Sequence, residues 1–313
     1  MINCRMMVPG SENRRRIWIY LCSPVERMNP FDTVDHADHS GFGNTGPLRE
    51  RRAYDPIVQA MSGLMAVTGF AGQPPVRTGA AIADTATPMI AVIGILSALM
   101  RRQSTGRGDW VDVSMLDALS FLMPEVIEYY QGGAIDPPLA NRHPGGAPFN
   151  CFHATDGYVY VATVTDIDWN NLLRAMDRED LIDDPRYAHL PDRHDHVDEV
   201  EAVVENWIKG RPRDGVVDVL QSHQVACGPV LSMDEALASE QLRARDMLIP
   251  LETPEGKAVP GIMGLGIPIR FADDPVQFDV PAPQLGQHNH DVYGALLGVD
   301  DAEIARLKDA GVI

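Results

Sequence analysis

One run in this chain has few ways to fold in water. "RTGAAIADTATPMIAVIGILSALMRR" (Arg77 to Arg102) holds a single ionisable residue, Asp84, between Arg77 and Arg101. Thr87 followed by Pro88 has the form of a helix cap and a first helical residue. The sequence "MIAVIGILSALMRR" is apolar on nearly every side, which predicts a helix buried all round. Arg101 and Arg102 stand at its C-terminal end, where the helix dipole favours cations. Its apolar core, Met89 to Met100, is too short to cross a bilayer. Asp84 falls just ahead of the cap, and two readings of it stand side by side. It is a turn or cap aspartate bonded to backbone N–H groups, or it is a poorly hydrated carboxylate, held where the dipole favours negative charge, that can act as a covalent nucleophile.

Around this run the texture is α/β. "SGFGNTGP" from Ser40 is turn chemistry. "YDPIVQAMSGLMAVTG" (Tyr54 to Gly69) reads as a helix, with Ile57, Ala60, Met61, Leu64 and Met65 on one face. "WVDVSM" alternates as a strand, and "LDALSFLMPEVIEYYQGG" follows as an amphipathic helix with a kink at Pro124. The Pro/Gly stretch Pro137 to Asn150 marks a domain boundary. Beyond it, "GYVYVATV" is a strand, and helices follow at "DWNNLLRAM", "DEVEAVVENWIKG" and "RDGVVDVLQSH". "VACGPVLS" is a short strand, "MDEALASEQLRARDM" a helix, and "MLIPLE" and "IPIRFA" strands of a small mixed sheet. Two helices close the chain, the last opened by a capping box of Asp300 and Glu303. Residues 1–39 have no clean period and predict an arm with one short strand.

Composition narrows the function. A net charge of -18 argues against nucleic acid and anionic membranes as partners, since both require a basic footprint. The cysteines, Cys4, Cys22, Cys151 and Cys227, form no C-x-x-C pair, so a zinc ribbon or redox pair is not indicated and a reducing cytoplasm is the expected location. "RRRIWIYLCSPV" has a basic flank and an apolar run, but the run is short and broken by Pro24, unlike a secretory signal. "DHADH", "HDH" and "HNH" offer alternate metal ligands without a complete set, so no metal is expected.

Several of these stretches, taken in series, resemble the class III CoA-transferases, the family of formyl-CoA transferase and carnitine CoA-transferase. They are "SGFGNTGP", "AYDPIVQAMSGLMAVTG", "PPVRTGAAIADTATPMIAVIGILSALMRRQSTGRGDWVDVSMLDA", "NRHPGGAPFNCFHATDGYVYVAT", "VACGPVLSMDEAL", "LGQHNHDVYGALLG" and "EIARLKDAGVI", running from about Ser40 to Ile313. The resemblance implies that Asp84 is the catalytic nucleophile. It would carry CoA from an acyl-CoA donor to a free carboxylate through an aspartyl mixed anhydride and an aspartyl-CoA thioester, with CoA as substrate and no other cofactor. It implies that Tyr54 stands near the thioester, that Arg52, Ala53 and Asp55 flank the CoA site, and that Gly145 and Gly146 of "HPGGAPF" form a mobile loop over it. That loop departs from the longer glycine run of formyl-CoA transferase, which points away from oxalate as the acceptor. The related α-methylacyl-CoA racemases carry a histidine at the position of Tyr54. A tyrosine is a poor proton acceptor at neutral pH, so transferase is favoured over that alternative.

The family begins with a nucleotide-fold half that residues 1–39 do not match, so the resemblance implies a large domain lacking its N-terminal part. The expected organisation is an unmatched arm (1–39), the remainder of a Rossmann-like large domain (40–140), the Gly/Pro loop (141–149), a small α+β domain (150–272) and C-terminal helices that return to the large domain (273–313). Family members form interlocked dimers, so a homodimer is expected if the large domain is complete enough to make one. A remnant that binds no CoA is the non-enzyme alternative, and uncovered apolar faces would make the chain poorly soluble.

Overall fold

The computed structural model describes residues 18–21, 36–123, 138–253, 256–273 and 283–313. The fold is mixed α/β, and contacts divide the chain into two units, Met1–Gly228 and Pro229–Ile313.

The first unit opens with a parallel sheet of three strands, β1 (Trp18–Leu21), β2 (His36–Ser40) and β3 (Trp110–Ser114), in that spatial order. In the register, His39 lies opposite Leu21 and Val113. The sequence predicts one short strand before Ser40, whereas the structure has two, and "HADHS" is the central one. Its polar composition hides it. Asp38 is buried because its Oδ2 accepts hydrogen bonds from Trp110 Nε1 at 3.1 Å and Asn44 Nδ2 at 3.2 Å.

The helix predicted over Tyr54 to Gly69 divides at Gly63, whose φ of 94° ends α1 (Asp55–Ser62) and precedes α2 (Leu64–Val67). The buried face of α1 carries Asp55, Val58 and Gln59, while the predicted Ile57 and Met61 are exposed. The apolar run forms α3 (Ile82–Thr105), followed after β3 by α4 (Met115–Phe121). α3 begins ahead of the predicted cap. Thr87 is inside it, fully buried, with Oγ1 donating to Ala83 O at 2.6 Å. Pro88 is also inside, and having no N–H it leaves the carbonyl of Asp84 without an i→i−4 partner.

α3 is not buried all round. Ala83, Ala86, Thr87 and Ala98 are buried, while Met89, Val92, Ile93, Leu96 and Met100 are exposed, Met100 to 71%. An apolar periphery needs cover on two sides, and β3 with α4 supplies one. By length and composition the 24-residue helix is long enough to cross a bilayer, unlike the shorter apolar core predicted from the sequence.

A second core in this unit forms around the antiparallel pair β4 (Phe149–Ala154) and β5 (Gly157–Ala162). Helices α5 (Asp166–Ala175), α6 (Leu190–Asp195), α7 (Val197–Ile208) and α8 (Arg213–Ser222) surround it, and β6 (Ala226–Pro229) joins the sheet beside β5. Val159, Val161, Trp169, Leu172, Val204 and Leu220 are fully buried there. Thr165 and Asp168 close a reciprocal capping box at the start of α5. β4 emerges from the stretch predicted as loop.

In the second unit the single predicted helix over 233–247 is two, α9 (Met233–Leu237) and α10 (Glu240–Ala244), because Ser239 opens a new cap. β7 (Leu248–Glu252) pairs antiparallel with β8 (Ala258–Leu265), and "IPIRFA" is not the partner strand that its alternation predicts. A π-helix spans His290–Leu296, and α11 spans Asp301–Asp309. Asp300 accepts from Glu303 N at 2.8 Å, but the Glu303 carboxylate pairs with Arg306, so only half of the predicted capping box forms. The predicted kink at Pro124 lies outside the described residues.

α3 meets β3 through a missing side chain: a Cβ on Gly94 would lie 2.7 Å from Val111 Cγ1. Gly94→Ala in an ordinary helix would stabilise by about 0.5–1 kcal/mol. Here it is expected to destabilise by about 1–3 kcal/mol, read as a lower urea midpoint, and Val111→Ala is expected to restore the loss.

Candidate functional site

The first turn of α3 is organised by a carboxylate from another helix. Asp55, the first residue of α1, is 4% exposed. Its Oδ1 accepts from the backbone N–H of Ala83 at 2.7 Å and of Asp84 at 3.4 Å, and its Oδ2 accepts from Gln59 Nε2 at 2.6 Å. α3 has no cap from its own chain neighbour Ala81, so Asp55 supplies that cap from a distance in sequence. Gln59, fully buried, carries the network onward. Its Oε1 accepts from Thr78 N at 3.0 Å and its Nε2 approaches Ala80 O at 3.4 Å, fixing the "RTGAA" approach to α3.

Asp84 therefore projects from a pinned helix start and is exposed, not the poorly hydrated carboxylate that the nucleophile reading expects, because the apolar faces around it do not close over the helix start. Tyr54 sits at the N-cap position of α1, next to Asp55, with 77% of its surface exposed. Ala53 packs on the small core of Val58, Met115 and Leu119, and a Cβ on Gly41 would lie 2.2 Å from Ala53 Cβ, so only glycine lets these two segments touch. Arg52 is exposed in the segment just before. Asn44 of "SGFGNTGP" clamps that loop to β3 through its N–H and Nδ2, both 3.0 Å from the Asp112 carboxylate. The structure thus gathers Arg52, Ala53, Tyr54, Asp55 and Asp84 around two adjoining helix starts. Among them Asp55 is the residue whose carboxylate oxygens are both taken by protein groups.

Gly145 and Gly146 lie elsewhere in the unit, and no hydrogen bond among the described residues joins them to Asp84. Gly146 is buried, while Gly145 is exposed. A Cβ on Gly146 would lie 2.4 Å from Thr163 O, so this glycine serves the close approach of two backbones. His143 stacks on Phe149 at 4.4 Å and accepts Gly145 N–H at 2.9 Å. Upstream, Arg142 makes a two-pronged contact with Glu201 at 3.0 and 2.6 Å and reaches Asp198 at 2.7 Å, and these partners hold its guanidinium well above the usual range. Downstream, the fully buried Arg193 donates from Nε to Ala147 O at 2.9 Å. Burial lowers the proton affinity of Arg193, and the ion pair with Asp166 at 3.0 Å opposes that.

Sequence reading missed His39. Within "DHADH" it counts as a possible metal ligand, but the structure places it at the carboxyl end of the central strand. Burial pushes its imidazole below the ordinary value, and the carboxylate of Asp84 acts in the opposite direction. Its polar strand and the remote position of Asp84 left no signal in the sequence.

Comparison with known proteins agrees with the motifs. The family described as CoA-transferase family III matches residues 34–289, starting ahead of the Ser40 expected from the motifs. A formyl-CoA:oxalate CoA-transferase from Streptomyces coelicolor is 34% identical over 92% of this chain and 73% of its own length. A succinyl-CoA–D-citramalate CoA-transferase from Chloroflexus aurantiacus is 31% identical over 88% of this chain and 68% of its own. A CAIB/BAIF family protein from Brucella suis, solved by crystallography, superposes with a TM-score of 0.71 at 31% identity, covering 85% of this chain and 68% of that one.

Removing the Asp55 carboxylate strands the first N–H groups of α3 and one side of Gln59. Asp55→Ala is expected to destabilise by about 1–3 kcal/mol, seen in urea unfolding. Asp55→Asn, which keeps an acceptor for Ala83 N–H, is expected to lose less.

Proposed function

The chain belongs to CoA-transferase family III and is a CoA-transferase, and from that premise we propose that Asp84 is the covalent relay for CoA. The reading is supported above all by one observation: a carboxylate exposed on the first turn of a long apolar helix whose start is fixed by Asp55. The dipole at that end favours the anion, and rigid backing keeps the attacking oxygen in place.

In the proposed sequence an Asp84 oxygen attacks the thioester carbon of acyl-CoA. The C–S bond breaks, CoA thiolate leaves, and a mixed anhydride of Asp84 and the acyl group remains. The thiolate then attacks the Asp84 side-chain carbonyl, the anhydride C–O bond breaks, and the donor acid departs as its carboxylate. Asp84 is left as an aspartyl-CoA thioester. A second carboxylate attacks that thioester and the same bonds are exchanged in reverse order, giving a new acyl-CoA and free Asp84. The balance is one thioester and one carboxylate on each side. No proton or electron is consumed, and no cofactor is needed beyond the CoA substrate. Because little free energy separates the two sides, catalysis falls to positioning and to stabilising oxyanions.

Tyr54 stands next to Asp55 with its side chain open to solvent, which suits a donor to the thioester oxyanion. The neighbouring Arg52 is exposed, as a contact for CoA phosphates would be. Gly145 and Gly146 would belong, in this reading, to a loop that covers the site when substrate is bound. The parallel strands β1 to β3 with α3 against them support reading this part as the remainder of a Rossmann-like large domain. A small carboxylic acid is the proposed acceptor and a homodimer the proposed assembly. The uncovered apolar face of α3 supports the latter.

Mixing the protein with an acyl-CoA and a second carboxylate is expected to give a new acyl-CoA by HPLC. Asp84→Asn should lower that rate by at least about 10³-fold; retention of turnover would remove Asp84 from the mechanism. Tyr54→Phe, which deletes only the hydroxyl, should lower kcat by on the order of 10²-fold with little change in KM for acyl-CoA.

A further inference from the structure

His39 is placed so that its chemistry bears on Asp84. In the parallel register His39 lies opposite Val113, and Ala37 opposite Val111. Strand alternation puts these four side chains on one face of the sheet. Val111 on that face meets Gly94 of α3, so it is the face on which α3 lies. α3 runs into β3 through a short turn, so the helix and strands run in opposite directions and the helix start stands over the carboxyl ends of β2 and β3. His39 and Asp84 are therefore at the same end of the same layer. Ligands of open parallel sheets bind at that end.

The Nε2 atom of His39 is buried, and it has no hydrogen-bond partner among the described residues. A buried polar atom left without a partner is costly and calls for an explanation. Asp38 and Asp112 point to the opposite face and bond to Trp110 and Asn44. Val111 and Val113 on the near face are apolar. Among the described residues Asp84 is the charged group whose field reaches His39.

We propose that His39 is a positioning residue for the nucleophile: its Nε2, without a partner among the described residues of the ligand-free chain, takes up a hydrogen bond to the Asp84 carboxylate when acyl-CoA binds, fixing the attacking oxygen, and releases it when Asp84 becomes acylated. The inference rests on Asp84 being the CoA relay. A neutral imidazole suits the task, since it orients the carboxylate without cancelling its charge. Burial keeps His39 neutral to lower pH than an ordinary histidine. Protonation would convert it to a cation that stabilises the carboxylate and weakens it as a nucleophile. Turnover should therefore fall as pH drops through the His39 midpoint.

Histidine Cε1 labelling of the full chain with ¹³C tests the pairing, with His39 assigned as the signal lost in His39→Gln. The wild-type midpoint is expected below the ordinary imidazole value, and Asp84→Asn should lower it further, because the negative charge that favours the proton is gone. An unmoved midpoint in Asp84→Asn overturns the proposal. In the exchange assay, His39→Leu should lower kcat about tenfold, leave KM for acyl-CoA near wild type, and lose the acid limb that in wild type coincides with the His39 midpoint. Wild-type kcat and pH profile in His39→Leu also overturn the proposal while leaving the Asp84 relay standing. A wild-type chain that exchanges no CoA defeats the relay itself, and with it the role of His39 in turnover.

Discussion

The Asp55 carboxylate is the tie on which the rest of the site depends. One buried acid, at the start of α1, satisfies the first N–H groups of α3 and holds Gln59, which in turn fixes the "RTGAA" approach. A helix start needs acceptors for its free N–H groups, and a distant carboxylate that supplies them links two segments that the sequence separates widely. The effect is to seat Tyr54 and Asp84, which bracket this tie, on adjoining helix ends. Asp84 is thereby relieved of capping its own helix, and its carboxylate is available for chemistry.

Of the two readings of Asp84, strut or nucleophile, the strut is the one whose work another residue is seen to do. The capping that a lone aspartate near a helix start would be expected to perform is done by Asp55. Pro88 adds to the local character of this turn, since the carbonyl of Asp84 receives no helical N–H from position 88. The first turn of α3 is therefore held from outside as well as by its own ladder, in which Thr85 N–H donates to Ala81 O at 3.1 Å, and in the proposed mechanism this keeps the backbone in place while a side chain is acylated.

Much of the fold was readable where period and caps were strong. "WVDVSM" and "GYVYVATV" alternate and are strands, and "IADTATPMIAVIGILSALMRR" is helical. The misses have specific causes. "HADHS" is the central strand, yet its buried Asp38 depends on Trp110 and Asn44, partners no local pattern announces. The start of α3 was misplaced because Thr87–Pro88 mimics a cap, while the real one comes from Asp55. The burial of α3 was overestimated because an apolar periphery records what a helix can pack against, not what the chain itself provides. At the candidate site, the motifs pointed to Asp84 and Tyr54. The capping role of Asp55 and the placement of His39 required the sheet register and the long-range hydrogen bonds.

The central claim is that Asp84 carries the CoA during turnover, and trapping tests it most directly. The protein would be mixed with acyl-CoA, quenched with hydroxylamine, digested and analysed by mass spectrometry. The account predicts an aspartyl hydroxamate on the peptide containing Asp84, formed when acyl-CoA is present and absent when it is omitted. An unmodified Asp84 in a preparation that is exchanging CoA, or a hydroxamate on another carboxylate, would contradict it.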